Sequence, residues 1–363
     1  MKVPGLSVLP PGVERAVCRI PEAGSQVPNL QVPKVSAIDL AKWAEDRERG
    51  FDMVLHIETP LIESIPLGKA SGRRVFLKME ALQPAGSFKL RGIGKLCEKR
   101  ASEGAGRFIV PSGGNAGYAA AWAAKDLGLE AVVIVPKTTS EEAKNTISDL
   151  GGKVLVHGDD WSGSNRLALS MTSEDGRSAY IHPFDDPVMW DGHGTIIDEA
   201  YRQGARPDLI ILSVGGGGLL CGVAAGMDRN GWGDVPIVAA ETAGADSFAQ
   251  ALAKGEVVEL EAITSLATSL GARAVTSKAL DLARDHRIRS FVGSDLSAVR
   301  ACRKFVDDHR VLVEPACGIS LAPVYENSPV LEDAERVLVI VCGGIGISLA
   351  KLSSLEKAVA ERH

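Results

Sequence analysis

Apolar and polar positions alternate along the chain with two different periods, which predicts both strands and helices. From Val54 onward, short runs rich in β-branched residues are apolar on both faces, as strands buried in a parallel sheet are. The predicted strands are Val75 to Met79, Phe108 to Val110, Ala131 to Val135, Val154 to His157, Ala179 to His182, Leu209 to Val214, Ile237 to Ala240 and Val337 to Cys342.

Helical patterns fill the segments between these runs. They include Ala116 to Leu127, Glu141 to Leu150, Leu219 to Met227 and Leu296 to Asp308, each long enough to connect two parallel strands. The alternation predicts an α/β fold with parallel twisted sheets flanked by helices. In such folds ligands bind at the carboxyl ends of strands, so function is expected in the strand-to-helix loops.

The first fifty residues follow a different pattern. Prolines make the first part irregular, and Ser36 is placed to cap a short helix through Trp43 to Arg49. We interpret residues 1–50 as an N-terminal extension that serves packing or an interface.

Composition narrows the class of protein. The 363 residues are 45% hydrophobic and 24% charged, which is typical of a globular protein of about two domains. The net charge of −6, without a basic block, argues against nucleic-acid binding. No apolar segment reaches membrane-spanning length, and the six scattered cysteines form no metal-ligand motif. A cytoplasmic protein with free thiols is expected.

Lys89 is the candidate for covalent chemistry. It follows a turn at Pro84 and Gly86, and Leu90 to Arg100 reads as a helix, so Lys89 is expected on its first turn. A lysine that forms a Schiff base needs such a fixed position and partial desolvation, because only the neutral amine attacks a carbonyl.

Four consecutive glycines, Gly215, Gly216, Gly217 and Gly218, lie between a predicted strand and an apolar helix that begins near Leu219. Their backbone N–H groups can converge on a phosphate at a helix N-terminus. A tight turn is the alternative, although one or two glycines suffice for that. The spacing fits neither GxGxxG nor a P-loop, which argues against a dinucleotide on Glu241.

Two further loops follow strands. The first contains Ser112, Gly113 and Asn115, and its N–H groups suit a smaller anion such as a carboxylate, while Asn115 offers an amide to a neighbouring oxygen. Helix capping by Asn115 is an equally good alternative. The second loop begins at Cys342, which by itself is typical of a small buried hydrophobe.

A Schiff-base lysine, a glycine cup for one phosphate and a carboxylate loop together describe a pyridoxal phosphate site. On these motifs the chain resembles the fold type II pyridoxal phosphate enzymes with a two-lobed, tryptophan synthase β-like fold, most closely the L-serine/L-threonine dehydratases of the liver type. Matching stretches run in family order from about residue 54 to the C-terminus; they include His56 to Leu61, Gly86 to Gly92, Ser112 to Gly117, Pro183 to Pro187, Ser213 to Gly222, Val313 to Gly318 and Val341 to Gly344.

The resemblance implies a role for each matching residue. Lys89 would carry the cofactor as a Schiff base and then accept the α-proton of the substrate. The phosphate would be bound by Gly215 to Leu219, the ring hydroxyl by Asn115 and the ring face by Phe88. Cys342 would meet the pyridine nitrogen, and Ser87, Ser112, Gly113 and Asn115 would bind the substrate carboxylate.

The resemblance also implies the surroundings of the site. A monovalent cation, with potassium as the expected ion, would be bound by Glu241, Ser247 and carbonyls near Gly215, Ala245, Leu270 and Ala272. Residues 51–82 and 185–363 would form a large cofactor-binding domain and residues 83–184 a small one. A homodimer acting on a small β-hydroxy amino acid is expected.

Four residues depart from the family pattern and leave the preferred substrate open: Gly113, Ser269 beside the ring, Ile345 and Gly346. The favoured activity is L-serine and L-threonine ammonia-lyase. The alternatives are another β-eliminase, a β-replacement enzyme or an amino-acid racemase on the same fold, and a catalytically silent family member that binds the cofactor.

Overall fold

The computed structural model describes residues 54–361, which belong to one compact unit. The proposed helix through Trp43 to Arg49 lies outside these residues, as does the whole N-terminal extension of residues 1–50. Two sheets organise the described chain. They contain ten strands in all, eight of which the sequence predicted.

The larger sheet has six strands in the order β1-β2-β10-β7-β8-β9. All neighbours are parallel except β1 and β2. The strands are β1 (Leu61–Glu63), β2 (Arg74–Lys78), β7 (Leu209–Ser213), β8 (Ile237–Thr242), β9 (Ile288–Gly293) and β10 (Arg336–Ile340). Strands β7 and β8 are buried along their whole length, which explains their continuous apolar sequences.

The smaller sheet has four parallel strands in the order β5-β4-β3-β6. They are β3 (Arg107–Val110), β4 (Glu130–Val135), β5 (Lys153–Val156) and β6 (Ser178–Tyr180). The prediction that Val154 to His157 is buried on both faces is wrong, because β5 lies at the edge of this sheet and exposes Leu155 and Val156. An apolar run alone does not distinguish an edge strand from a central one.

Twelve helices are described, and they pack on the two sheets or on one another. They are α1 (Ile65–Ser71), α2 (Lys89–Ser102), α3 (Asn115–Asp126), α4 (Glu141–Asp149), α5 (Trp161–Asp175), α6 (Pro187–Arg202), α7 (Gly218–Arg229), α8 (Ser247–Lys254), α9 (Ser277–Asp285), α10 (Asp295–His309), α11 (Pro315–Tyr325) and α12 (Leu349–Glu361). None of these helices is both long and apolar enough to cross a membrane.

The carboxyl ends of three strands position the candidate loops. The glycine loop follows β7, the loop of Ser112 follows β3, and Cys342 comes two residues after β10. Hydrogen-bonded pairing of β10 with β7 brings Cys342 and the glycine loop to the same edge of the larger sheet. This is the location that parallel α/β sheets use for ligands.

Candidate active site

The turn before Lys89 is fixed against the end of β10. Gly86 has a φ of +69°, a conformation that glycine adopts without steric cost, and its carbonyl accepts from the Gly344 N–H at 2.8 Å. Ser87 forms a bridge with Gly343, and the Phe88 N–H donates to the Cys342 carbonyl at 3.1 Å. Helix α2 then begins at Lys89, one residue before the predicted start, so Lys89 lies on its first turn as predicted.

The amine of Lys89 is held by a second turn. Its Nζ donates to the Pro183 carbonyl at 2.6 Å. That turn is ordered by His182, whose Nδ1 accepts from the N–H groups of Phe184 and Asp185 at 3.2 and 2.8 Å. Burial lowers the pKa of Lys89 to about 8, although the neighbouring Cys342 and Glu314 act to raise it. A neutral, nucleophilic amine is therefore accessible near neutral pH.

The glycine loop is tightly packed on its protein side. Gly217 has a φ of +92° and precedes the first residue of α7, and a Cβ on Gly216 would lie 2.3 Å from the Phe184 ring. Within residues 54–361, the N–H groups of Gly215 to Leu219 make no hydrogen bond. Five free donors at the N-terminus of a twelve-residue helix form a site for an anion.

The loop of Ser112 offers a second set of free donors. The N–H groups of Gly113, Asn115 and Ala116 have no partner in the described part of the chain, while the Gly114 N–H contacts the Ser112 hydroxyl at 3.4 Å. Gly114 occupies the cap position of α3, so the alternative that Asn115 caps this helix is wrong. Its side chain instead reaches across the site.

Asn115 is bound to Glu314, a residue to which the sequence analysis gave no role. Asn115 Nδ2 donates to Glu314 Oε1 at 2.6 Å, and Ser269 lies beside the same carboxyl group. Burial raises the pKa of Glu314 to about 7, although both of these neighbours act to lower it. The motif Val313-Glu314-Pro315 was a signal in the sequence, but its contact with Asn115 spans 199 residues.

Cys342 is a buried thiol at the end of β10. Its Sγ lies 3.4 Å from the Ser213 hydroxyl, next to the glycine loop. A hydrogen bond with Cys317 and burial both raise the pKa of Cys342 well above its usual value. The sulfur is therefore a neutral thiol at physiological pH, as expected for a buried apolar setting.

The residues expected to bind a cation lie at the ends of β7 and β8. Glu241 is fully buried and accepts from the N–H groups of Phe248 and Ala249 at 2.9 and 2.8 Å. The Ser247 hydroxyl is buried without a partner among residues 54–361. Burial raises the pKa of Glu241 to about 8, and within the same residues it forms no salt bridge.

The other residues expected to bind the cation lie near Glu241 or near Gly215. A Cβ on Gly215 would be 3.1 to 3.3 Å from backbone atoms of Leu270, whose carbonyl accepts from the Ala272 N–H at 2.7 Å. Ala245 pairs with Thr242, the residue after Glu241. The described residues contain no cluster of three His, Cys, Asp or Glu side chains suited to a metal ion. A site here would depend on carbonyl oxygens and one carboxylate.

The site fits pyridoxal phosphate by its own geometry. The Ser87 hydroxyl and the Asn115 Oδ1 are buried without hydrogen-bond partners in the described chain, and such atoms are costly unless a ligand pairs with them. Lys89, Cys342 and the free donors of the glycine loop surround the same region. Together these residues provide an amine for a Schiff base, a binding site for the phosphate and polar groups that can bind the cofactor ring.

The comparison with protein families agrees with this chemistry. Residues 54–343 match the family model described as pyridoxal-phosphate dependent enzyme. The chain therefore belongs to the pyridoxal phosphate-dependent enzyme family.

Individual relatives narrow the comparison. The human L-serine dehydratase/L-threonine deaminase is 46% identical over 312 residues, covering 84% of this chain and 95% of the relative. A fungal L-serine ammonia-lyase from Rhizomucor miehei superposes with a TM-score of 0.80 at 37% identity, covering 84% of this chain and 99% of that one. The maize serine racemase gives a TM-score of 0.75 at 28% identity, covering 90% and 98%.

Proposed function

We propose that this protein is a pyridoxal phosphate-dependent L-serine and L-threonine ammonia-lyase. It would convert serine to pyruvate and ammonia, and threonine to 2-oxobutanoate and ammonia, by α,β-elimination of water. The observation that carries the proposal is Lys89, a partly buried amine with a lowered pKa beside two loops of free N–H donors. The names of the relatives at 46% and 37% identity support the choice of substrate class.

Different residues are proposed to bind the cofactor and the substrate. The N–H groups of Gly215 to Leu219 would hold the phosphate, and Phe88 would contact the ring. Ser112 with its loop and Ser87 would bind the substrate carboxylate. When bound, the cofactor would supply an electron sink for the α-carbon. Lys89 would hold the cofactor covalently and, as a free amine, would accept the α-proton of the substrate.

Cys342 is proposed to adjust that electron sink. A carboxylate facing the pyridine nitrogen would favour its protonation, whereas a neutral thiol does not. The raised pKa of Cys342 supports this role. A weaker sink suits expulsion of the β-hydroxyl as the α-proton leaves, which favours elimination over transamination.

Replacement of Lys89 by alanine tests the proposal. Lys89→Ala should lower the rate of ammonia release from serine by at least about 1,000-fold, because the anchor and the base are lost together. Lys99→Ala, on the same helix but with an exposed side chain, is the matched control and should retain activity. Near-normal elimination by Lys89→Ala would contradict the assignment, and an inactive wild type across a panel of β-hydroxy amino acids would contradict the substrate class.

We also propose that Glu241, Ser247 and the carbonyls of Gly215, Ala245, Leu270 and Ala272 bind potassium. The unpaired Ser247 hydroxyl and the buried Glu241 support an ion at this position. Replacing potassium by tetramethylammonium at constant ionic strength should lower serine turnover in the wild type. Glu241→Gln should be insensitive to that exchange, and a wild type equally active in both salts would exclude the site.

We propose that the protein is a homodimer and that it acts in a reducing compartment such as the cytoplasm. Cys97, Cys221, Cys302, Cys317 and Cys342 are buried and unpaired, which supports a reducing compartment. Residues 83–184 are proposed as the smaller lobe and residues 51–82 with 185–363 as the larger, which the division of the strands between two sheets supports. Light scattering of the purified protein measures the oligomeric state.

The racemase alternative is kept for one reason. Gly113 lacks a side chain, so it offers no proton donor, but Ser269 brings a hydroxyl to Glu314 within the site. A protein that returns D-serine from L-serine would favour this alternative.

A further inference from the structure

The amide of Asn115 is oriented by Glu314. Asn115 Nδ2 donates to Glu314 Oε1 at 2.6 Å, while Asn115 Oδ1 is buried with no partner in the described chain. An ionised carboxylate can only accept hydrogen bonds. It therefore takes the nitrogen end of the amide and turns the oxygen end to the other side.

Glu314 is held in place from several directions. Its backbone occupies the N-cap position of α11, and the backbone of Gly344 packs on its carboxyl group so closely that a Cβ there would lie 2.3 Å from Glu314 Cδ. Ser269, in the turn Thr268–Leu270, lies beside the carboxyl group and lowers its pKa. The carboxyl group thus has little freedom to turn away from Asn115.

Water can reach this acid. A cavity of about 180 Å³ is lined by Ser269, Glu314, Lys351 and Leu355, among others, between the 268–270 turn and α12. Burial raises the pKa of Glu314 to about 7, so both charge states are populated near neutral pH. The cavity provides the route by which its proton exchanges.

A protonated Glu314 changes the pairing. Its carboxyl group then carries an O–H donor, which is satisfied by the amide oxygen and not by the amide nitrogen. Rotation of the Asn115 side chain exchanges the two ends of the amide. The nitrogen would then face the region that Oδ1 faces in this structure.

We propose that Glu314 is a positioning residue for Asn115, and that the charge of its carboxyl group sets which end of the amide meets the ring hydroxyl of the cofactor. This rests on the proposed function only in placing Asn115 at that hydroxyl. An ionised Glu314 presents the amide oxygen, which favours the hydroxyl with its proton. A protonated Glu314 presents the amide N–H, which favours the ionised ring oxygen.

The direction of the pH dependence distinguishes this proposal from a direct ionisation of the ring hydroxyl. Ionised ring oxygen should decrease as the pH rises through about 7, because Glu314 then loses its proton. Direct ionisation of the ring hydroxyl would give the opposite trend. Lys89 on α2 and Lys351 on α12 lower the pKa of Glu314, and Glu314 in turn raises the pKa of Tyr118 on α3, Cys302 on α10 and Cys342 after β10.

The experiment is a pH titration of the absorption bands of the bound cofactor, recorded without substrate. In the wild type, the band of the ionised ring oxygen should fall with rising pH. Glu314→Gln should lose this transition. Ser269→Ala should keep it but move its midpoint upward by about one pH unit, since the hydroxyl beside Glu314 lowers the pKa of this carboxyl group.

Asn115→Ala separates positioning from a direct charge effect. This variant retains Glu314 but lacks the amide, so the transition should disappear from the spectrum. An unchanged transition in Asn115→Ala or in Glu314→Gln would overturn the proposal. An unmoved midpoint in Ser269→Ala would also overturn the proposal. This variant keeps the test decisive if Glu314→Gln does not fold.

The titration is independent of turnover. A protein that shows the cofactor bands and this transition, but releases no ammonia from serine, would contradict the proposed function and support the positioning role. A protein that deaminates serine without the transition would support the proposed function and contradict the positioning role.

Discussion

At the scale of single residues, Gly113 is where specificity between elimination and racemisation is expected to be set. It lies in the loop between β3 and α3, and a Cβ built on it would lie 3.0 Å from Thr139 Cγ2 and 3.2 Å from Val135 Cγ1. A side chain is therefore tight at this position, but its backbone φ is not in the left-handed region that favours glycine. The half-buried Thr139 must move by a few tenths of an ångström to admit it.

Gly113→Ser should add measurable racemisation of serine and slow the elimination. A hydroxyl supplies a proton donor that glycine lacks, and such a group acts within about 2.6 to 3.2 Å of its target or through one water. Gly113→Ala is the matched control, because it adds the same crowding against Thr139 without the hydroxyl. Chiral chromatography of recovered serine should find D-serine only with Gly113→Ser. Equal D-serine from all three proteins would contradict the argument.

The residues of the candidate site were predictable to different degrees. Lys89, the four glycines and the loop of Ser112 are each recognisable from a short stretch, because turn residues and helix starts leave a local signature. The contacts of Glu314 with Asn115 and of Pro183 with Lys89 were not predictable, since the partners lie 199 and 94 residues apart in sequence. Local patterns carry no information about such pairs.

At the scale of elements, helix α2 is anchored through a charge network directly behind Lys89. Arg91 is fully buried, and it donates to Glu80 at 2.6 and 2.8 Å and to Glu199 on α6 at 2.6 and 2.7 Å. Lys78 on β2 also donates to Glu199 at 2.6 Å. The network ties the helix that carries the candidate nucleophile to the larger sheet.

Arg91→Met should lower the free energy of unfolding by about 3 to 5 kcal/mol, because the carboxylates of Glu80 and Glu199 would lose their main counter-charge while remaining buried. Arg100→Met on the same helix is the control, since its pair with Glu103 is exposed and should contribute at most about 1 kcal/mol. Urea unfolding followed by circular dichroism measures both. Equal effects of the two substitutions would refute an anchoring role for Arg91.

The sequence was least informative for elements at the sheet edges. Strands β1 and β9 were not predicted; β9 mixes apolar and polar residues and has no fully buried position, since it lies at the edge of its sheet. Strand β5 was predicted as buried but is exposed. The central strands were predicted because burial on both faces demands an apolar residue at nearly every position.

At the scale of the whole molecule, buried titratable groups limit stability at both ends of the pH range. Burial lowers the pKa of His56 to about 4 and that of His193 well below its usual value. Since the unfolded chain takes up protons first, stability is lost as the pH falls below about 6.5. Glu241 and Glu314 act in the opposite direction, because their pKa values are raised to about 8 and 7.

Those raised values make the folded chain retain protons that the unfolded chain has released, so stability also declines as the pH rises from about 4.5 toward 8. A cation beside Glu241 would reverse part of this decline. It favours the ionised carboxylate, so binding of the ion is coupled to release of the Glu241 proton.

Potassium should therefore stabilise the protein more at pH 8 than at pH 6. Below the raised pKa of Glu241, the ion must displace a proton, whereas at pH 8 that displacement costs little. Melting temperatures in potassium chloride and in tetramethylammonium chloride, at equal ionic strength, measure the difference at each pH. Glu241→Gln has no proton to release and should show a small difference that is independent of pH. A wild-type difference that is the same at pH 6 and pH 8 would show that the ion does not bind beside Glu241.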